Sequence, residues 1–330
     1  GTRAGDVAYN CLPLYNSAAW VANIYRALST GIPCALDEQF SVSKFWGRIR
    51  HYGATQTMTL GAMHMFLWNE PRRTDDADNP LRVASMVPMP QKLIAPFCER
   101  FGLEAIVQGL GQSEVMPILS KVETPARQCK PNALGKLFDD MEVKLLRDDG
   151  EEAGPGGVGE FSIRPLAPHV IFSGYFDDPE ATSRAYRGEW YCTGDLGMKD
   201  AEGDYYFVDR KKDYIRYKGR NISSLQVEGI AAGHPAVKAA AVYGVPSDTL
   251  ESEHEIKLDV ILKAGQPLHP DERARFINER APYFCVPRYI EFVAGLPYTP
   301  TQKLEKYKLR ERGITASAWD RLKSGFELQR

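Results

Sequence analysis

The sequence predicts an α/β protein of two or three domains, in which a mainly parallel sheet precedes a smaller α+β domain. Three observations lead to this prediction. The 330-residue chain exceeds the usual size of one domain. Short apolar runs alternate with helical patterns in its first part, as they do when helices join the strands of a parallel sheet. Turn-rich strand patterns then replace the helices, and mixed helix and strand patterns follow.

The first predicted domain covers residues 1–136 and is an αβαβ unit. Strand-like apolar runs at 7–12 and 32–36 flank a helical pattern at 18–28. Strands that alternate with helices favour a parallel sheet that is covered on its faces. The domain opens directly on a strand, so we expect it to be incomplete at its N-terminus.

The second predicted domain covers residues 137–210 and resembles a small β-barrel or sandwich. Turn signals at 148–150, 154–157 and 201–203 separate short apolar runs, which is typical of antiparallel strands. A proline that follows Asp178 and precedes Glu180 predicts that a helix starts at Pro179.

The third predicted domain, residues 211–330, has an α+β pattern. Helices are predicted at 225–232 and 271–279, and strands at 239–245 and 256–262. Charged residues around Lys211 separate this domain from the preceding one.

Composition excludes several classes of protein. Hydrophobic residues make up 43 % and charged residues 25 %, which are ordinary globular values. A formal charge of −2 gives no basic field for nucleic acid, and no apolar run approaches the roughly 20 residues of a membrane span. The N-terminus lacks a signal-peptide pattern, so a cytoplasmic location is expected. The six cysteines are scattered without a Cys-x-x-Cys pair, which predicts reduced thiols rather than zinc or disulfide sites.

Two segments carry side chains suited to nucleotide binding. Asp195 follows Thr193 and Gly194, and a carboxylate on a glycine turn can accept two hydrogen bonds from a ribose diol. The alternative is an Asp that caps its own turn. Residues 107–114 contain Gly109, Leu110 and Gly111, followed by Ser113 and Glu114. Here the alternative is a glycine-rich helix start that is capped by Ser and Glu.

Two basic segments follow. Residues 210–219 form the most basic stretch of the chain, for which the alternative is a solvated charge run. Lys303 follows a Pro-x-Thr-x-Thr pattern at 297–301, and this pattern distinguishes it from Lys306 and Lys308. A lysine in such a position is otherwise simply solvated.

Taken in this order, residues 191–195, 209–222 and 296–308 resemble the adenylate-forming superfamily of acyl-CoA synthetases, peptide-synthetase adenylation domains and luciferases. The resemblance implies a large adenylate-forming domain, with a parallel sheet and a β-barrel, followed by a small mobile C-terminal domain. It also implies a role for each candidate residue. These are Lys303 as the catalytic cation, Asp195 and Arg210 for the ribose and nucleotide, Gly109, Leu110 and Gly111 for the adenine, Ser113 for phosphate, Glu114 for Mg²⁺, Lys212 as the hinge and Gly219 beside the pantetheine arm of CoA.

The chain departs from the family pattern at several positions. Leu110 stands where an aromatic ring commonly stacks on adenine, Ser113 replaces Thr, and Gln302 replaces Gly. The family's phosphate loop, rich in Ser, Thr and Gly and followed by Pro-Lys, is not found in these residues. Residues 154–159 have no hydroxyl group or lysine and are interpreted as a hairpin turn. A chain without the phosphate loop is expected to bind ATP poorly, and its activity to be impaired. The resemblance covers nearly all of this chain but only the later two thirds of a typical family member, so we expect a fragment or a naturally short protein.

The resemblance implies an acid–thiol ligase that uses ATP, Mg²⁺ and CoA. A carboxylic acid and ATP would form acyl-AMP, and the thiol of CoA would then displace AMP. Residues 40–46, 97–102 and 206–210 look most like carnitine/crotonobetaine-CoA ligases and fatty acyl-CoA synthetases. Two alternatives stay open: an adenylation domain that loads a carrier protein, and a truncated relative that is a non-catalytic binding or scaffold module. A homodimer is one candidate assembly, and the sequence does not select the acid.

Overall fold

The structure is a computed structural model and describes residues 1–127, 129–217, 220–248, 253–299 and 303–329. The chain divides into two compact units. The first contains residues 1–193 and 197–207, and the second contains residues 194–196 and 208–330. The domain boundaries expected near residues 136 and 210 stay predictions.

The first sheet lies in the first unit. Its strands are β1 (Ala8–Asn10), β2 (Cys34–Leu36), β3 (Gln56–Leu60), β4 (Val83–Val87), β5 (Ala105–Gln112), β6 (Val115–Glu123) and β7 (Lys136–Leu137). Their order in the sheet is β2-β1-β3-β4-β5-β6-β7. Strands β1 to β5 pair in parallel, whereas β6 is antiparallel to both of its neighbours. The predicted parallel sheet is therefore confirmed.

Helices follow the parallel strands and cover a large apolar core. A π-helix, Ala19–Tyr25, continues into α1 (Arg26–Thr30), so the helix predicted at 18–28 is present in two forms. The next helices are α2 (Val42–Tyr52), α3 (Ala62–Asn69) and α4 (Gln91–Phe101). Helix α2 ends because Gly53 adopts a left-handed φ of +59°, which glycine does at little cost. Phe45 of α2 and Phe97 of α4 are buried in the same core.

A second sheet holds the turn-rich middle of the chain. Helix α5 (Pro179–Arg184) precedes part of it, and its strands are β8 (Met141–Leu146), β9 (Val158–Pro165), β10 (Tyr186–Arg187), β11 (Trp190–Lys199) and β12 (Tyr205–Arg210). The order is β10-β11-β9-β8, and β12 pairs with β11. The helix start predicted at Pro179 is confirmed: the Asp178 carboxylate accepts a hydrogen bond of 2.8 Å from Ala181 N.

The second unit has an α+β fold. Its elements are the hairpin β13 (Ile215–Tyr217) and β14 (Arg220–Ile222), the strands β15 (Val237–Pro246), β16 (His254–Leu262), β17 (Tyr289–Phe292) and β18 (Trp319–Asp320), and the helices α6 (Ser224–Ala232), α7 (Pro270–Asn278), α8 (Lys306–Arg312) and α9 (Arg321–Ser324). Strands β15 to β18 form a four-stranded sheet in the order β15-β16-β17-β18. The elements predicted at 225–232, 239–245, 256–262 and 271–279 correspond to α6, β15, β16 and α7.

The six cysteines all lie among the described residues and none is in a disulfide; three are buried and three are partly buried. Among the helices of the described segments, none is both long enough and apolar enough to cross a membrane.

Candidate active site

Asp195 and Arg210 form an ion pair in the second unit. The Nε atom of Arg210 lies 3.3 Å from Oδ1 of Asp195. The carboxylate is almost fully buried, at 4 % side-chain exposure, whereas the guanidinium is half-exposed, at 49 %. The Asp195 carboxylate is therefore enclosed by protein, whereas the Arg210 guanidinium faces solvent, from which a polar ligand can approach.

Lys303 lies at the end of a closed loop, of which residues 297–299 and 303–305 are described. Leu304 pairs with Tyr298 in an antiparallel bridge. The amide of Lys303 donates to the Thr299 hydroxyl at 3.0 Å, and the carbonyl of Lys303 accepts from the Thr299 amide at 2.8 Å. Leu304 also packs on the apolar cluster that contains Tyr243 of β15. These contacts fix the backbone from which the ammonium extends.

The Lys303 ammonium interacts electrostatically with the Asp195–Arg210 pair. Burial by surrounding atoms lowers the pKa of Lys303, the Arg210 charge lowers it further, and the Asp195 charge acts in the opposite direction. Lys303 is nonetheless exposed as a residue, so its charge is only partly removed from solvent. A partly dehydrated ammonium interacts strongly with negative charge that develops beside it.

The second group of predicted residues lies on the β5–β6 hairpin of the first unit. Gly109, Leu110 and Gly111 belong to β5, while Ser113 and Glu114 form the two-residue turn between the strands. The helix start considered as an alternative for residues 107–114 is therefore wrong. Antiparallel pairing with β6 explains the outcome, because Gln112 pairs with Val115 across the turn.

Side-chain contacts orient the turn. Oε1 of Glu114 accepts a hydrogen bond of 2.9 Å from the Tyr175 hydroxyl, and the Glu114 carbonyl accepts one of 2.8 Å from the Phe172 amide. Ser113 and Ser17 share a hydrogen bond of 2.8 Å between their hydroxyls. The Glu114 carboxylate is only partly buried, which leaves it accessible to a cation.

Close backbone packing explains one of the two glycines on β5. A Cβ atom at Gly109 would lie 2.1 Å from the carbonyl oxygen of Leu119 on β6, so no larger residue fits there without a shift of backbone. At Gly111 the nearest atom to a Cβ would be Cγ of Met116, at 3.3 Å. Leu110 is partly buried and packs against the apolar cluster that contains Leu119.

The remaining two predicted site residues are Lys212, which the structure describes, and Gly219, which it does not. Lys212 is exposed and lies in a single 3₁₀ turn, Lys211–Asp213, between β12 and β13. A one-turn helix between strands can absorb a change of backbone direction. Gly219 lies outside the described residues.

Sequence reasoning missed a polar group that includes Lys306, three residues after Lys303: Asp209, Ser224 and Lys306 are buried, and Glu228 is partly buried. The only sequence signal for it is the pair of serines at the start of α6, Ser223 and Ser224, which indicates a helix N-cap. Because only Lys303 follows the Pro-x-Thr-x-Thr pattern, the sequence does not distinguish Lys306 from a solvated lysine.

Two parts of the chain match known protein families. Residues 1–176, more than half of the chain, match the family described as AMP-binding enzyme. Residues 226–303 match the family described as AMP-binding enzyme C-terminal domain. The chain therefore belongs to the AMP-binding enzyme family, and the resemblance to adenylate-forming proteins is confirmed.

Individual relatives support the same assignment. A crotonobetaine/carnitine–CoA ligase of Escherichia coli is 30 % identical over 311 residues, which cover 93 % of this chain and 59 % of the ligase. The o-succinylbenzoate CoA synthetase of Bacillus subtilis, solved with its acyl-adenylate intermediate, is 25 % identical with a TM-score of 0.80, over 94 % of this chain and 62 % of the synthetase.

An amide bond synthetase of Marinactinospora thermotolerans is 28 % identical with a TM-score of 0.78, over 93 % of this chain and 62 % of that protein. These likenesses confirm the predicted fold class and the predicted similarity to carnitine/crotonobetaine-CoA ligases. The chain spans about three fifths of the length of the relatives that it matches.

Proposed function

We propose that this protein works as an AMP-forming acid–thiol ligase. A carboxylate attacks the α-phosphorus of ATP, forms acyl-AMP and releases pyrophosphate. The thiol of CoA then attacks the acyl carbon and releases AMP. The names of the relatives support this proposal, because two of the proteins described above are CoA ligases or synthetases and one was solved with an acyl-adenylate.

The observation that carries the proposal is the electrostatic interaction of Lys303 with Asp195 and Arg210, which form an ion pair at 3.3 Å. In the proposed first step, Asp195 accepts hydrogen bonds from the ribose hydroxyls and so fixes the nucleotide, while Arg210 contacts the same nucleotide. Lys303 then lies where negative charge grows on the α-phosphate during attack. A fixed cation lowers the energy of that charge without the cost of reorganising water.

Glu114 is the proposed ligand of Mg²⁺, and its surroundings fit that role. One carboxylate oxygen accepts a hydrogen bond from Tyr175, and an ionised carboxylate has further lone pairs for a hard cation. The described residues contain no group of three or more His, Cys, Asp or Glu side chains that could hold a metal ion. Mg²⁺ commonly takes only one or two protein carboxylates and completes its shell with phosphate oxygens and water. When bound, the ion would neutralise phosphate charge, and Glu114 would orient it.

Carboxylate-dependent exchange of radiolabelled pyrophosphate into ATP tests the proposal. The assay should be run on this chain and on any longer form of the same protein, with carnitine, crotonobetaine and a series of fatty acids. Exchange that depends on one of these acids supports acyl-AMP formation. No exchange from any form, with any acid, would contradict the ligase proposal and favour the scaffold alternative.

A second candidate differs only in the group that accepts the acyl chain. The likeness to an amide bond synthetase favours a test of amines alongside CoA and a phosphopantetheinyl carrier protein. Supplied acyl-adenylate should be discharged by CoA alone if the first proposal is right. The cytoplasmic location and the homodimer are kept here as predictions, which cell fractionation and light scattering would test.

A further inference from the structure

The loop that carries Lys303 continues into a buried lysine. Lys306 is the first residue of α8 and is 7 % exposed. Its Nζ atom donates to Oγ of Ser224 at 2.6 Å and lies 2.8 Å from Oε1 of Glu228, so both partners belong to α6. The same Glu228 oxygen accepts a hydrogen bond of 2.7 Å from the Val242 amide of β15. Lys306 therefore ties the loop to a helix that is itself fixed to the sheet.

Ser224 extends the connection to Asp209. The Ser224 hydroxyl accepts from Lys306 and donates to Oδ2 of Asp209 at 2.7 Å. The amide of Ser224 donates to the same oxygen at 2.6 Å, so this carboxylate satisfies the N-terminus of α6. Asp209 is 1 % exposed and Ser224 is fully buried. A charged chain of hydrogen bonds in such surroundings is stronger than one in water.

The connection ends beside the nucleotide-binding residues. The amide of Arg210 donates to Oδ1 of Asp209 at 2.7 Å, and Arg210 in turn pairs with Asp195. At the other end, Lys306 is three residues from Lys303. The Lys306 network, defined here as Lys306, Glu228, Ser224 and Asp209, thus joins the backbone of Arg210 to the backbone of the Lys303 loop.

The predicted hinge lies between the two halves of this network. Asp209 precedes Lys212 in the chain, whereas the other three members follow it. A rotation of the backbone at Lys212 would move Ser224 away from Asp209 and break their hydrogen bonds. The network can therefore form only in arrangements that keep these two residues in contact, and in the present one the charges of Asp195 and Arg210 act on Lys303.

We propose that Lys306 is a positioning residue for Lys303, and that its network is a latch which favours the arrangement used for acyl-AMP formation. The latch stabilises the arrangement in which Ser224 contacts Asp209, and it opposes a rotation at Lys212 that separates them. Loss of the latch lowers the rate of the first half-reaction, while the second half-reaction is retained or accelerated. This half-reaction split rests on the proposed function, whereas the positioning of the loop does not.

The first test measures loop opening without reference to activity. Hydrogen–deuterium exchange of the amides of Lys303 and Glu305, which close the loop through Thr299 and Pro297, is compared in three proteins. The proteins are the unmodified chain, Lys306→Met and the matched control Lys308→Met. Lys308 is on the same helix, but its ion pair with Glu305 is half-exposed at 49 % side-chain exposure of the lysine.

A hydrogen bond to a charged group typically changes an equilibrium by tenfold or more, so exchange in Lys306→Met should be at least about tenfold faster. Exchange in Lys308→Met should match the unmodified chain. Lys306→Arg, which keeps the charge, should restore most of the protection. Equal exchange in the Lys306 and Lys308 variants would overturn the proposal.

Lys306→Met leaves the Glu228 carboxylate without its cation, which could by itself unfold the protein. The double variant Glu228→Gln with Lys306→Met removes that unpaired charge and is therefore tested as well. Ser224→Ala breaks the link to Asp209 and changes no charge. In each variant, pyrophosphate exchange should fall about tenfold or more, while thioester formation from supplied acyl-adenylate stays the same or rises. Parallel loss of both half-reactions would show a merely structural role and would overturn the latch. If no form of the protein shows pyrophosphate exchange, the ligase proposal is contradicted. Hydrogen–deuterium exchange of the loop amides would still decide whether Lys306 positions Lys303.

Discussion

A buried histidine makes the stability of the first unit depend on pH. His64 lies on α3 and is fully buried. Its Nε2 atom lies 2.8 Å from the Pro88 carbonyl oxygen, to which it donates, and its Nδ1 atom lies 3.1 Å from the Thr59 hydroxyl. Burial lowers the pKa of His64 from 6.5 to about 4, against the opposing effect of the Pro88 carbonyl. The neutral imidazole is therefore the form that the folded protein stabilises.

The sign and size of the effect follow from proton binding. Above pH 6.5 neither state binds the proton, so His64 imposes no penalty. Between pH 6.5 and 4 the unfolded chain binds it and the folded chain does not, so the free energy of unfolding falls as the pH falls. Each unit of pKa difference corresponds to about 1.4 kcal/mol, and the loss should approach about 3 kcal/mol near pH 4.

Urea unfolding at a series of pH values between 7.5 and 4.5 measures this loss. Tryptophan fluorescence is a suitable probe, because Trp46 and Trp68 pack against the core of the first unit. The variant His64→Gln should lose less stability than the unmodified chain as the pH falls. His169→Gln, which replaces an exposed histidine, should behave like the unmodified chain. The reasoning is refuted if His64→Gln and the unmodified chain show the same dependence on pH.

Three further predictions concern the nucleotide site, the second unit and the β5–β6 hairpin. Asp195→Asn should raise the apparent ATP requirement of pyrophosphate exchange by roughly tenfold or more, because charge-assisted bonds to the ribose are lost; an unchanged requirement would remove Asp195 from the site. Arg273→Met should raise the free energy of unfolding by about 1 kcal/mol or more. The fully buried guanidinium has no hydrogen-bond partner among the described residues, and burial lowers its pKa to about 10. A lower free energy of unfolding in urea would contradict this. Gly109→Ala should destabilise by about 1–3 kcal/mol in thermal unfolding, and Gly111→Ala by clearly less, since only the first places a Cβ against rigid backbone; equal effects would argue against close packing as the cause.

Local signals predicted much of the fold. Helix α7 begins with Pro270 after a His269–Glu272 capping box, and α5 begins at Pro179 after Asp178. Such caps involve neighbours in the chain, so the sequence displays them directly. The strands β15 and β16 are long and largely apolar, which the hydrophobic pattern also displays.

Long-range pairing explains what the sequence could not display. The glycines of residues 107–114 are compatible with a helix start, and only the pairing of β5 with β6 turns them into a hairpin. Charges within β16 give a second case: Lys257 is fully buried and lies 2.6 Å from Glu291 of β17, a partner 34 residues away.

At the candidate site, too, local signals are visible in the sequence and long-range contacts are not. The motif around Lys303 distinguishes it from Lys306 and Lys308, and in the structure the charges of Asp195 and Arg210 act on its ammonium. The burial of Lys306 depends on Ser224 and Glu228, which lie about eighty residues earlier in the chain. No local pattern reports on such a partner, so Lys306 was indistinguishable from a solvated lysine.

A comparison of two lysine variants tests the proposed role of Lys303. Lys303→Met and the control Lys308→Met are assayed for both half-reactions, in whichever form of the protein shows pyrophosphate exchange. A cation about 4 Å from the developing charge contributes on the order of 4 kcal/mol at an effective dielectric constant near 20, which corresponds to about 10³-fold in rate. We expect that loss in pyrophosphate exchange for Lys303→Met alone, with thioester formation from supplied acyl-adenylate unchanged. Equal behaviour of the two variants, or equal loss of both half-reactions in Lys303→Met, would contradict it.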